Sequence, residues 1–103
     1  MIHPSIQQQL PLVIELFKNH KIKNAYVFGS AVTNKFNENS DVDFLINFVD
    51  GLDPLEQGEL KWSLRFALED TIHRNIDLLS ENSLTNPYFI QSINQNKQLI
   101  YEH

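Results

Sequence analysis

Three aspartates and one Gly-Ser pair are the residues of this chain whose types and spacing can do chemistry. Gly29-Ser30 follows an apolar run, Ala25 to Phe28, and after ten intervening residues Asp41-Val42-Asp43 leads into a second apolar run, Phe44 to Phe48. If the second run is a strand, its period of two sets Asp41 and Asp43 on one face and Val42 on the other. Two carboxylates so placed can hold a divalent cation. Gly29 permits a tight turn with close backbone approach, while Ser30 offers its N–H and hydroxyl to a phosphate oxygen. A phosphate cradle beside a metal-binding pair is nucleotide chemistry. A third aspartate, Asp77, stands in the short run Asn75 to Leu79, on the face it shares with Leu79. Gly-Ser alone is a common turn, and Asp-x-Asp at a strand entrance is usually a solvated end. Their combination between two apolar runs, with a later third Asp, is far more specific.

These side chains need a scaffold to bring them together. Ile6, Leu10, Val13, Ile14 and Phe17 recur at helical spacing, which predicts an amphipathic helix reaching about His20. Pro11 implies either a kink or a helix that begins near Leu10. Lys21 to Lys23 then connects to the first strand. A short helix is expected over Ala31 to Thr33, and Asn34 to Ser40 is a polar loop returning to Asp41. Asp53 as N-cap, Pro54 at the first helical position and Glu56 placed for a capping box announce a helix running to about Ile72. Leu60, Leu64, Ala67 and Leu68 form its stripe, with Trp62 and Phe66 broadening it. After the strand at Asn75 to Leu79, Asn86 caps a last helix whose apolar residues are Tyr88, Phe89 and Ile93. Leu99 to Tyr101 is a final strand or an extended tail. The succession predicts an α+β (mixed α/β) domain spanning residues 1–103, a small sheet with helices mainly on one side.

The bulk properties narrow the function. The 103 residues carry a formal charge of −5, so the chain lacks the basic footprint for direct binding of nucleic acid. An apolar fraction of 42% suits one modest core. With no cysteine there is neither a disulfide framework nor a thiolate zinc site, in keeping with a reducing compartment. The N-terminal residues do not read as a signal peptide and no run approaches membrane-spanning length, so a cytoplasmic protein with no membrane partner is expected. His3, His20, His73 and His103 show no metal-ligand spacing.

The pattern Gly-Ser, ten residues, Asp-x-Asp resembles the nucleotidyltransferase superfamily that includes DNA polymerase beta and kanamycin nucleotidyltransferase. At this length the chain is similar to the minimal nucleotidyltransferases (MntA-like), partners of HEPN-domain toxins in prokaryotic toxin–antitoxin pairs. Asn75 to Leu79 is similar to the family's third-carboxylate strand, and Asn86-Pro87-Tyr88 through Leu99 to Glu102 to its closing helix and tail. The resemblance implies a mixed sheet with the carboxylates at its open face. It further implies transfer of AMP from ATP to a hydroxyl, most simply a tyrosine of a HEPN toxin, with two Mg²⁺ ions held by Asp41, Asp43 and Asp77 and the triphosphate held by Gly29 and Ser30. Asp77 would complete the nucleophile-side site and is the candidate to take the proton of the incoming hydroxyl, the alternative being that metal activation makes a separate base unnecessary. The alternatives are an antitoxin that acts by occlusion without catalysis, and nucleotidyl transfer to a small molecule such as an aminoglycoside. Many family members carry an arginine shortly after Gly-Ser, where this chain has Ala31 and Val32; Lys35 is the nearest cation. Lys61, Arg65 and Arg74 read as a solvated helix face, with approach to the phosphates as the alternative. Trp62, Phe66 and Tyr88 read as core or interface.

Overall fold

All four prolines stand in the first turn of a helix, where a missing N–H breaks no intrahelical bond. The computed structural model describes residues 2–103. Pro11 divides the first amphipathic stretch into α1 (Pro4–Gln7) and α2 (Leu10–Asn19), so the helix that reaches His20 begins at Leu10. His20 and Lys21 turn the chain, Lys21 at φ 59°, and β1 (Ile22–Phe28) starts earlier than its apolar run because Ile22 is already core. Gly29–Val32 forms one 3₁₀ turn in place of the short helix expected over Ala31 to Thr33. There follow β2 (Val42–Phe48), α3 (Pro54–Ile72), β3 (Ile76–Ser80), α4 (Pro87–Asn96) and β4 (Gln98–Glu102). The C-terminal segment is therefore a strand.

The four strands lie in the order β3-β2-β1-β4, with β2 and β3 parallel and β1 antiparallel to both β2 and β4. This is the mixed sheet of an α+β fold. One face, carrying Val27, Val42, Phe44, Ile46 and Leu78, packs against Val13 and Phe17 of α2 and Leu64, Leu68 and Ile72 of α3. Phe17 meets Phe44 edge to face at 5.8 Å. The opposite face has a smaller cover, in which Ile93 of α4 packs with Phe28 and Leu45. A slip of one residue in β2 would exchange Phe44 for Asp43 in the larger core, so burial fixes which face the aspartate takes.

Two expectations for the helices need correction. The Asp53 carboxylate accepts the Glu56 N–H at 2.8 Å, but the Glu56 side chain does not return to complete the box; it takes Lys21 Nζ at 2.8 Å. Trp62 and Phe66 do not broaden the buried stripe of α3. Each lies two residues before a buried leucine, about 200° around the helix, and they are 61% and 56% exposed. On α4 only Ile93 is buried, while Tyr88 and Phe89 face outward. Among the described residues no helix is long and apolar enough to cross a membrane.

Candidate active site

β1 and β2 run antiparallel, so the end of one lies beside the start of the other, and the parallel β3 begins at the same end of the sheet. Register partners make this explicit: Phe28 opposes Asp43, and Asp43 opposes Asp77. Gly29 leaves β1 at φ +74°, a conformation that glycine adopts without the clash of a side chain. A Cβ built on Gly29 would overlap Asp43 Oδ2, so the carboxylate lies directly against the turn. The result is a row across three strands: the Gly29-Ser30 turn, then Asp43, then Asp77, at strand spacings of about 5 Å.

Asp41 stands one residue outside β2 and is exposed, Asp43 is partly exposed within the strand, and Asp77 is exposed on β3. Asp43 is the crowded member. Its carboxyl is pushed from its ordinary 3.8 to about 6, first by burial and then by the charges of Asp77 and Asp41. The burial has a visible source, since Phe28 directly opposite and Leu45 two residues on are both buried on this face. The structure thus brings Asp41 and Asp77 within electrostatic reach of Asp43. Among the described residues, however, no three acidic, histidine or cysteine side chains close into a ready cage for a metal ion. The donor set is all carboxylate oxygen, which fits Mg²⁺. That ion keeps several waters and takes one or two protein carboxylates together with substrate phosphates, so a complete protein cage is not what it requires.

The segment between the turn and the acids is tied down at several points. The Ser30 carbonyl accepts both the N–H and the hydroxyl of Thr33 at 3.0 Å, closing the 3₁₀ turn. The His3 N–H donates to the Ala31 carbonyl at 2.8 Å. Arg74, from the link between α3 and β3, donates through Nη1 to the carbonyls of Asn37 (2.8 Å) and Ser40 (2.9 Å) and stacks on Phe36 at 4.3 Å. It therefore clamps the loop that delivers Asp41 to the strand that delivers Asp77. Sequence reasoning placed Arg74 on a solvated face and missed this; nothing local marks a guanidinium whose partners are carbonyls 34 and 37 residues away. Lys35 is on the exposed part of the same loop, and Lys61 and Arg65 lie beside Asp77 on the α3 side.

Residues 12–103 match the family model described as polymerase beta, nucleotidyltransferase. A Methanocaldococcus jannaschii protein named for protein adenylyltransferase activity, MJ0126, is 36% identical over 87 residues, covering 84% of this chain and 83% of its own. Among solved structures, a toxin–antitoxin complex with AMP-PNP contains a chain that superposes with a TM-score of 0.72 at 22% identity, over 91% of this chain and 73% of that one. A tri-AMPylated Shewanella oneidensis HEPN toxin in complex with its MNT antitoxin gives a TM-score of 0.66 at 20% identity, over 94% of this chain and 72% of that one.

Proposed function

This chain belongs to the polymerase beta nucleotidyltransferase family and is a nucleotidyltransferase, and on that premise we propose that it transfers AMP from ATP to a tyrosine hydroxyl of a HEPN-type partner protein, silencing that partner as its antitoxin. The observation that carries this reading is the row of turn, Asp43 and Asp77 on one end of the sheet. The adenylyltransferase name of the relative and the AMP-PNP and AMPylated-toxin complexes of the fold neighbours support the choice of nucleotide and acceptor.

In this reading Gly29 lets the triphosphate approach the backbone, and Ser30 donates its N–H and hydroxyl to the outer phosphates. Asp41, Asp43 and Asp77 would hold Mg²⁺, two ions in this reading, which when bound would supply charge neutralisation for the triphosphate and activation of the acceptor oxygen. Asp43, whose ionised form is disfavoured by burial and then by the charges of Asp77 and Asp41, would gain from a cation placed beside it. Asp77, next to the free edge of the sheet, orients the hydroxyl and takes its proton as the oxygen bonds to the α-phosphorus and pyrophosphate leaves. The reaction is set in the cytoplasm, in keeping with a chain that has no cysteine.

Incubation with α-labelled ATP, Mg²⁺ and the HEPN partner is expected to label the partner, and Asp41→Ala with Asp43→Ala is expected to abolish labelling. Undiminished labelling by the double variant would remove the mechanism. A dead variant that still neutralised the partner fully would turn the reading toward occlusion.

A further inference from the structure

Beyond Asp77 the sheet stops. Among the described residues β3 pairs only with β2, so one side of its main chain has no described strand beside it. The Asn75 carbonyl accepts the Val42 N–H, whereas the Ile76 N–H turns outward to the Glu69 carboxylate at 3.4 Å. By the alternation of a parallel ladder, the N–H and C=O of Leu78 also point away from β2, on a residue that is itself only 5% exposed. They border a hollow of about 590 Å³ between β3 and α3, lined by Asp41 and Asp77 and, across from them, by Gly58, Lys61, Trp62 and Arg65. Neither Gly29, Ser30 nor Asp43 lines it. The row therefore has two sides: the Gly-Ser turn lies on one side of the acids and this hollow on the other.

Trp62 is 61% exposed, with Arg65 stacked over it at 5.8 Å and Phe66 against its edge at 5.1 Å. A tryptophan left this open on a helix face has lost burial that its size rewards. Lys61 has no carboxylate partner among the described residues, and Arg65 holds Glu69 only at 3.6 Å through Nε. On the far wall from the acids the hollow is thus basic and aromatic, although the chain as a whole is acidic.

We propose that this hollow is the acceptor site and that it takes an extended, acidic segment of a polypeptide, laid along the free edge of β3. Leu78 supplies main-chain hydrogen bonds, Lys61 and Arg65 pair with acidic side chains flanking the acceptor tyrosine, and Trp62 covers the segment so that its hydroxyl reaches Asp77. A free-edge strand serves a polypeptide and offers nothing comparable to a sugar or other small acceptor. The proposal rests on the adenylyl-transfer reading and gives it a substrate preference.

Trp62 is the only tryptophan in the chain, so its emission reports the hollow directly. The probes are two tryptophan-free nine-residue peptides, each with one central tyrosine flanked by glutamates or by lysines. The glutamate peptide is expected to shift Trp62 emission to the blue and to be labelled from α-labelled ATP at least tenfold more efficiently, in kcat/KM, than the lysine peptide. Lys61→Glu with Arg65→Glu should reverse that order. Calorimetric binding of Mg²⁺ and AMP-PNP to the wild-type protein tests the parent reading separately. If the nucleotide fails to bind, adenylyl transfer falls, and the acceptor site with it. If the nucleotide binds but the two peptides are treated alike, or AMP-PNP alone moves the Trp62 emission, the acceptor assignment is overturned and the transfer reading survives.

Discussion

Asp43→Asn is expected to stabilise the metal-free protein while ending its chemistry. The substitution keeps the shape of the side chain and removes a charge that burial, Asp77 and Asp41 all disfavour. Raising a carboxyl from 3.8 to about 6 corresponds to about 3 kcal/mol, at about 1.4 kcal/mol for each tenfold change in proton affinity. Asp43 is partly exposed, and solvent screening reduces this to roughly 1 kcal/mol. Between about pH 4 and 6 the folded protein keeps a proton on Asp43 that the unfolded chain has released. Stability attributable to this group therefore falls as the pH rises through that window and stays reduced above it. Urea unfolding of wild type and variant in EDTA should give equal stability at the acid end, near pH 4. At pH 7.5 the variant should lead by roughly 1 kcal/mol, or about 4–8 °C in Tm for a chain of this size. Mg²⁺ with AMP-PNP should stabilise the wild type more than the variant and narrow or invert the gap. A wild type as stable as Asp43→Asn in EDTA at pH 7.5 would mean that the acids do not crowd one another, and the case for a shared cation would lose its electrostatic basis.

Two further substitutions test how the site is held. Gly29→Ala places a side chain at φ +74° and against the Asp43 carboxylate, so it should cost more than the ~1–2 kcal/mol of the backbone conformation alone. In an Asp43→Ala background the excess should disappear, and a cycle of urea unfolding energies that proved additive would show that the contact is not made. Arg74→Ala removes two charge-assisted hydrogen bonds and a cation–π contact at the protein surface, an expected loss of about 2 kcal/mol. Thermal unfolding should show it as a fall of roughly 10 °C, with Arg74→Lys recovering only part because an ammonium cannot reproduce the planar stack and paired contact. A drop within a degree or two would mean that the loop before Asp41 is held by other means.

The helix starts were legible because capping is local. Asp53 with Pro54 and Asn86 with Pro87 satisfy the first N–H groups from within a few residues, and both helices begin where those pairs stand. The neighbourhood of Gly29, Asp43 and Asp77 was legible for another reason: a turn that needs φ > 0 and a carboxylate at a strand entrance each restrict the residue type, so the requirement is written into the sequence. Strand direction was not. The parallel pairing of β2 with β3 depends on α3 crossing the sheet between them, and no residue in either strand encodes it.

Trp62 and Arg74 were misread for a common physical reason. A hydrophobic residue near a helical stripe is assigned to the core by its type, but its angle about the axis decides, and Trp62 lies about 200° from Leu64. A basic residue at a helix end is assigned to solvent by its type, yet Arg74 meets carbonyls, which every residue possesses and which leave no mark in the sequence. Groups that react must be particular residues, whereas groups that position or receive need only be in the right place. On the proposed function, that difference places Asp41, Asp43 and Asp77 among the readable features, and it places the Arg74 clamp and the outer edge of β3 among those that only the fold discloses. If the hollow beside β3 takes the acceptor as proposed, a change of acceptor is expected to be written at positions 61, 62 and 65.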